Sequence, residues 1–280
     1  MRRSAVPATE PEPVPVGHEV VPGYEVVSLL RVGHRLMTYD VFSHERFCRC
    51  IVKVLRDDRR HEERCREALM VEGRIASDLA HPHLVRAYDV IEGPRPAVVL
   101  ETLTGDTLGA LIEDAPLSPA DVALLGCQLS SALAYLHSHE WLHLDVKPSN
   151  VVVQGGRAVL IDFSVVSRPG DGRPHAGTDG YLSPEQARGS GLSGASDVFG
   201  LGVTLGESLT GEVPYGDERR WRRGVASRKP ARAFRARLAR MPAPMCELIT
   251  AAVDPDPASR PTMTEIRTVL TDVVGQKVRP

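Results

Sequence analysis

His143-Leu144-Asp145-Val146-Lys147-Pro148-Ser149-Asn150 is the most informative stretch of this 280-residue chain. It places an Asp, a Lys and an Asn within six residues, between two apolar runs. Twelve residues after Asn150 comes Asp162-Phe163-Ser164, directly behind the apolar run Ala158–Ile161. A hydrogen-bonded surface turn would explain the polarity, and a strand-end cap would explain Asp162. Neither explains the ordered alternation of polar and apolar residues.

Around this stretch the chain reads as mainly helical. Ser118–His139 predicts a long amphipathic helix with Pro119 tolerated in its first turn. Val151–Val153 and Ala158–Ile161 straddle Gly155-Gly156 and predict a small hairpin. Ala195–Leu209, Cys246–Val253 and Met263–Val274 read as further helices. Before Gly105 the pattern differs. Tyr24–Leu30, Leu36–Phe42 and Phe47–Leu55 are rich in β-branched and aromatic residues, and Gly33 and the polar run Ser43–Arg46 punctuate them. They predict three antiparallel strands. Glu62–Leu79 has helical spacing and closes at His81-Pro82, because a residue before proline is pushed out of the helical region. Leu84–Ile91 and Ala97–Glu101 predict two more strands. The segment Glu101–Gly105 is too short for a free linker. The expectation is two lobes joined by a strand-like hinge, with a cleft between them. Residues 1–22 hold five of the chain's 22 prolines and read as a low-order leader, with order beginning near Tyr24 and a short tail at 276–280.

Composition narrows the function classes. The chain carries 34 basic and 36 acidic residues, a formal net charge of −2, which argues against a globally basic nucleic-acid binder. No apolar run reaches 18 residues, so no membrane span is expected. Arg2 and Arg3 are followed by Pro and Glu rather than by the apolar stretch of a signal peptide. Five cysteines do not suggest a disulfide framework. Cys48 and Cys50 are expected on one strand face, and no second Cys/His pair has zinc spacing. A reducing, cytoplasmic setting is the simplest expectation. Arg219–Arg240 contains ten Arg or Lys and no acid. It reads either as a solvated face or as a docking surface for an acidic or phosphorylated partner; no nucleic-acid reading motif accompanies it.

The string at His143–Asn150 and the later Asp162-Phe163 resemble the catalytic loop and metal-binding Asp of protein kinases. Gly177-Thr178-Asp179-Gly180-Tyr181-Leu182-Ser183-Pro184-Glu185 resembles the end of their activation segment. With Lys two residues after the Asp, the chain is most similar to the eukaryotic-like (Hanks-type) bacterial serine/threonine kinases, over about residues 24–274. The resemblance implies an α+β, two-lobed fold, with an N-lobe at 23–101 and a C-lobe at 102–275. It implies Mg-dependent transfer of the ATP γ-phosphoryl group to Ser or Thr of a protein substrate.

It also implies roles. Asp145 would orient and deprotonate the acceptor hydroxyl, and Lys147 would offer charge to the phosphoryl group. Asn150 and Asp162 would hold magnesium. Lys53 would grip nucleotide phosphates, with Glu72 as its helix partner. Gly33 would lie in the phosphate loop, and Leu100, Glu101 and Leu103 would line the adenine pocket and hinge. Thr178 would face substrate and touch Asp145 and Lys147. Glu185, Arg260 and Asp197 would brace the C-lobe. From the residues alone, Lys53 also reads as a strand-edge lysine and Glu72 as a solvated helix face.

Three departures stand out. Around Gly33, Arg31 and Leu36 replace the outer glycines of the family's phosphate loop. Leu144 stands where many kinases have arginine, so phosphorylation at the centre of the activation segment is not expected to be the on-switch. Ser164 replaces a glycine. The alternative readings are a pseudokinase or nucleotide-binding scaffold, and a small-molecule phosphotransferase, which the segment ending at Glu185 makes less attractive.

Overall fold

The computed structural model describes residues 12–216 and 230–276. The chain divides into two compact units: residues up to Asp78 with Arg86–Thr102, and Leu79–Val85 with everything from Leu103 onward.

The first unit is an antiparallel sheet with one long helix. Its strands are β1 (Glu19–Val21), β2 (Tyr24–Val32), β3 (Leu36–Ser43), β4 (Cys48–Leu55), β5 (Ala87–Ile91) and β6 (Ala97–Glu101), in the order β1-β2-β3-β4-β6-β5. Alternation decides the faces. Tyr39 and Val41 on β3, and Cys50, Val52 and Val54 on β4, are fully buried in one apolar cluster with Val26 and Val99. Lys53, one residue out of phase with Val52 and Val54, falls on the opposite face. Cys48 and Cys50 share the apolar face, with Sγ atoms 4.0 Å apart.

Helix α1 (Glu63–Asp78) buries Cys65, Leu69, Glu72, Ile75 and Ala76, a stripe at helical spacing. It lies so close to the sheet that a Cβ at Gly73 would meet Val98 at 2.8 Å and Val90 at 3.0 Å. The missing side chain there sets the height of Glu72 above β4.

Two expectations need correction. Order begins before Tyr24: β1 lies inside the Pro-rich leader, pairs with β2, and buries Val20 and Val21 in the same cluster as Tyr24 and Val26. Val14 also donates its backbone N–H to the Tyr39 hydroxyl at 3.0 Å. Composition averages over such a short segment, whereas two buried valines are enough to dock it. Residues 1–11 of the leader lie outside the described residues. The second correction concerns Leu84–Ile91. Only Ala87–Ile91 is a strand of this sheet. Leu84 bridges Leu160, and Val85 N–H donates to Leu160 C=O, so Leu79–Val85 belongs to the second unit.

The second unit has a three-stranded sheet of β7 (Asp106–Thr107), β8 (Val151–Gln154) and β9 (Arg157–Leu160). Its helices are α2 (Leu108–Asp114), α3 (Pro119–Ser138), α4 (Pro184–Arg188), α5 (Gly194–Thr210), α6 (Arg232–Leu238), α7 (Ala243–Ala252) and α8 (Met263–Gln276). Ser118 caps α3, its hydroxyl accepting from Asp121 N–H at 3.2 Å. Helix α5 is buried on nearly every side, as its apolar composition requires. It packs against α3, α6 and α7, and α3 packs along α8.

Of the basic stretch Arg219–Arg240, residues 219–229 lie outside the described residues, as do 277–280 of the tail. The rest is largely α6, which turns Phe234 and Leu238 inward. Arg237 is compensated locally by Glu212 and the Thr210 carbonyl. Among the described residues no helix is long and apolar enough to cross a membrane.

Candidate active site

In the first unit, β4 and α1 bring Lys53 and Glu72 together, Nζ to Oε1 at 2.5 Å. The lysine side chain is 12 % exposed and the carboxylate 1 %. Both charges are therefore held in a poorly solvated place, where an ion pair has to compensate desolvation. Gly33 stands at the β2–β3 turn. Strand pairing continues to Val32 opposite Met37, and the Gly33 N–H donates to Leu36 C=O at 2.8 Å. The Gly33 carbonyl accepts from Arg56 at 3.3 Å. The turn is tight, and the Arg31 and Leu36 side chains belong to its paired strands. Leu100 is buried on β6, and the Glu101 carboxylate accepts from Arg86 N–H at 3.0 Å, ending the strand. Leu103 is where the chain enters the second unit.

In the second unit, the loop His143–Asn150 is shaped from below by Asp197 of α5. One oxygen of this carboxylate accepts from His143 N–H at 2.9 Å, and the other from Leu144 N–H at 2.7 Å. The His137 imidazole lies 2.7 Å from the first of these. Burial pushes the Asp197 carboxyl up, but the bonds from His137 and the loop outweigh it and hold the group below its usual range. These bonds, with Gln186 described below, hold Leu144 in the left-handed region at φ +63°. His143 is fully buried edge-on to Phe163, and burial lowers its pKa, which leaves the ring neutral near pH 7. Its Nδ1 accepts from Asp145 N–H at 3.3 Å.

Above this loop lies a compact polar group. Asp145 Oδ2 accepts from Lys147 Nζ at 2.7 Å and from Asn150 Nδ2 at 2.8 Å. Thr178, 33 residues away in sequence, donates its hydroxyl to Asp145 Oδ1 at 2.7 Å and accepts from Lys147. Asn150 spends its other N–H on the Asp145 carbonyl, and its Oδ1 takes no part in these bonds. The Asn150 carbonyl accepts from Ile161 N–H at 2.8 Å, which puts Asp162 one residue from that junction. Asp162 itself is left-handed, φ +71°. One carboxylate and one amide oxygen are hard donors that suit a small divalent cation retaining water and phosphate ligands. Among the described residues, no group of three or more His, Cys, Asp and Glu forms an all-protein metal cage.

A cavity of about 450 Å³ opens beside Lys147 and Thr178, with Tyr181, Glu113 and Glu207 in its wall. Tyr181 donates to Glu207 at 2.6 Å, and burial raises the pKa of both groups.

The segment from Asp162 to Glu185 is held at many points. Leu142 and Ser167 form a β-bridge, and Arg168 stacks on Trp141 at 3.9 Å while donating to the carbonyls of His139 and Glu140. Leu142, Leu144 and Leu192 form a small apolar cluster that takes in Val165. At the far end Glu185 meets Arg260 in a two-pronged pair at 2.6 and 3.0 Å, both side chains almost fully buried. The sequence does not single out His137, Trp141, Arg168 or Gln186. Only the Ser183-to-Gln186 spacing carries a signal, and it is the local signature of a helix start.

A protein kinase domain model matches residues 24–269. The chain is 36 % identical over 177 residues to serine/threonine-protein kinase PknB of Mycobacterium leprae, covering 59 % of this chain and 28 % of that protein. It is 35 % identical over 176 residues to serine/threonine-protein kinase PkaA of Streptomyces coelicolor, covering 59 % and 32 %. The chain thus spans about a third or less of the length of these curated relatives.

Proposed function

Because the chain belongs to the protein kinase domain family, we propose that it transfers the γ-phosphoryl group of ATP to a serine or threonine hydroxyl of a protein substrate. The observation that carries this reading is the Asp145–Lys147–Thr178 triangle beside an open cavity. Asp145 is an acceptor-only carboxylate, fixed from both sides, that orients a hydroxyl entering from the cavity and takes its proton. Thr178 places a hydroxyl where the acceptor's own would pass, and Lys147 holds a cation within reach of the group in transfer. Asn150 prevents the carboxylate from turning away. Because these groups are set before substrate arrives, little reorganisation is needed at the moment of reaction.

Asn150 and Asp162 would hold the divalent metal, and magnesium fits their oxygen donors best. Nucleotide and metal, when bound, supply the phosphoryl group and neutralise part of its charge. Lys53 would meet the nucleotide phosphates, with Glu72 holding its ammonium group in place. A phosphotransferase of this kind acts on proteins through the surface around Thr178, since the segment ending at Glu185 is held as a rigid platform.

The test is transfer of labelled phosphate from ATP and magnesium to a generic protein substrate, beside Asp145→Asn. Transfer that disappears in the variant supports the proposal. Nucleotide binding with no transfer by the wild-type protein refutes it and leaves a nucleotide-binding scaffold.

A further inference from the structure

Gln186 sits at the third position of α4 with its side chain 3 % exposed. Its amide is fully engaged, and the two ends of the amide face different parts of the molecule. The oxygen accepts from Ser183 N–H at 3.2 Å, completing the local helix cap. The nitrogen donates outward, to Leu144 C=O at 2.8 Å and to Ala176 C=O at 3.3 Å. Leu144 is the residue before Asp145, and Ala176 is two residues before Thr178. One side chain therefore ties the backbone beside each member of the pair that meets across 33 residues of sequence.

Three further features converge on this tie. Gly177, at φ +123°, lies so close that a Cβ there would stand 2.7 Å from the Leu144 carbonyl and 3.5 Å from Gln186 Nε2. The Gln186 carbonyl also accepts from His175 N–H at 3.1 Å, so the same residue grips the segment by backbone and side chain. Leu144, held left-handed, turns its carbonyl toward the amide. The bond to the Leu144 carbonyl is buried, so losing the amide leaves that carbonyl with an unmet hydrogen-bond requirement.

We propose that Gln186 is a positioning residue for phosphoryl transfer, setting the distance between Asp145 and Thr178 through the two carbonyls it bridges. This inference rests on the phosphotransfer reading and adds how that site is kept in register. The tie consists only of unmodified groups, so it is made as soon as the chain folds.

Gln186→Glu tests it most directly. Glutamate keeps the side-chain length and the helix cap but removes both donors. The expected result is a fall in kcat of roughly 10- to 100-fold, the size set by one buried and one part-buried hydrogen bond lost, with the KM for ATP unchanged. Gln186→Met, the same length without any polar atom, should behave alike. Because Gln186 acts through Thr178, adding either change to Thr178→Ala should cost little beyond Thr178→Ala alone. Wild-type kcat in both variants would overturn the proposal, as would losses that multiply as independent factors with Thr178→Ala. Melting curves accompany the kinetics. If neither variant folds, the residue is a general fold determinant and the positioning role is refuted. Amide hydrogen exchange across residues 176–181, measured without nucleotide or substrate, separates this inference from the one beneath it. Faster exchange confined to that segment in Gln186→Glu supports the tie even where the wild-type protein transfers nothing, and unchanged exchange there overturns it.

Discussion

Replacing Arg260 by alanine should destabilise the second unit severely, and the structure sets the size. The guanidinium side chain is fully buried and makes two bonds to Glu185, at 2.6 and 3.0 Å. It also donates to the carbonyls of Ala195, Asp254 and Pro255, and lies 5.0 Å above the Phe199 ring. Truncation leaves the Glu185 carboxylate 2 % exposed and without its cation, keeping the Ser196 hydroxyl at 2.9 Å and a backbone N–H as neutral donors. A buried ion pair broken from one side costs about 3–5 kcal/mol, because the remaining charge keeps its desolvation penalty. For a unit of this size that corresponds to a fall in Tm of roughly 6–20 °C.

The effect should depend on pH. Burial pushes the Glu185 carboxyl up, but Arg260 outweighs it and holds the group below the ordinary glutamate value of 4.5. A carboxyl lowered on folding contributes stability that is complete above its unfolded value and lost as pH falls through the folded one. The gap between wild-type protein and Arg260→Ala should therefore be full at pH 7 and close as pH falls through the ordinary glutamate value of 4.5 and on through the lowered folded one. A double change of Glu185 and Arg260 to apolar residues of similar size should recover much of the loss. Thermal unfolding of the three proteins between pH 3 and pH 8 measures all of this. A loss under about 1 kcal/mol at pH 7, or a gap that widens in acid, would refute the reasoning.

Asp197→Asn should cut phosphotransfer at least tenfold, since an amide can accept from only one of the two loop N–H groups and presents a donor to the other; steady-state kinetics checks this. Lys53→Met should strip the buried Glu72 carboxylate of its ammonium partner at 2.5 Å, abolish turnover and lower the melting temperature, whereas Lys53→Met with Glu72→Leu should restore much of the melt without restoring turnover. Phosphatase treatment should leave activity unchanged, because Leu142–Ser167 pairing, the Arg168–Trp141 stack and the apolar cluster at Leu144 order the segment without a phosphate; loss of activity tracking one central-segment phosphosite would contradict this. Burial and the bond with Cys48 raise the Cys50 thiol to about 11, so alkylation at pH 7.5 should spare Cys50 in the native protein and reach it after denaturation, as read by peptide mass mapping.

The amino-acid sequence by itself determined the order and kind of most elements. Strands at Tyr24, Leu36 and Phe47 announce themselves by β-branched alternation, and the long helix at Pro119 by its cap and apolar stripe. The candidate site string at His143–Asn150 was legible because its residue types fall close together in one short loop. The Lys53–Glu72 pair was expected only from the family resemblance, because periodicity alone left Glu72 among several nearby acids. Burial on α1 resolved that choice, since only the stripe from Cys65 to Ala76 faces the sheet.

Tertiary structure alone decided the rest. Composition placed Val20 and Val21 in a leader, and pairing with β2 made them core. The run Leu84–Ile91 looks uniform in sequence, yet Val85 pairs with Leu160 and Ala87 with Leu100, so one apolar run serves two sheets. Gln186 shows the limit most clearly. Its spacing from Ser183 reveals a helix start, but its two outward bonds go to residues 42 and 10 positions away. Local pattern records which face of an element is buried, because burial repeats with the element's own period. It does not record which distant carbonyl a buried donor will meet, because that partner is set by the packing of the whole unit.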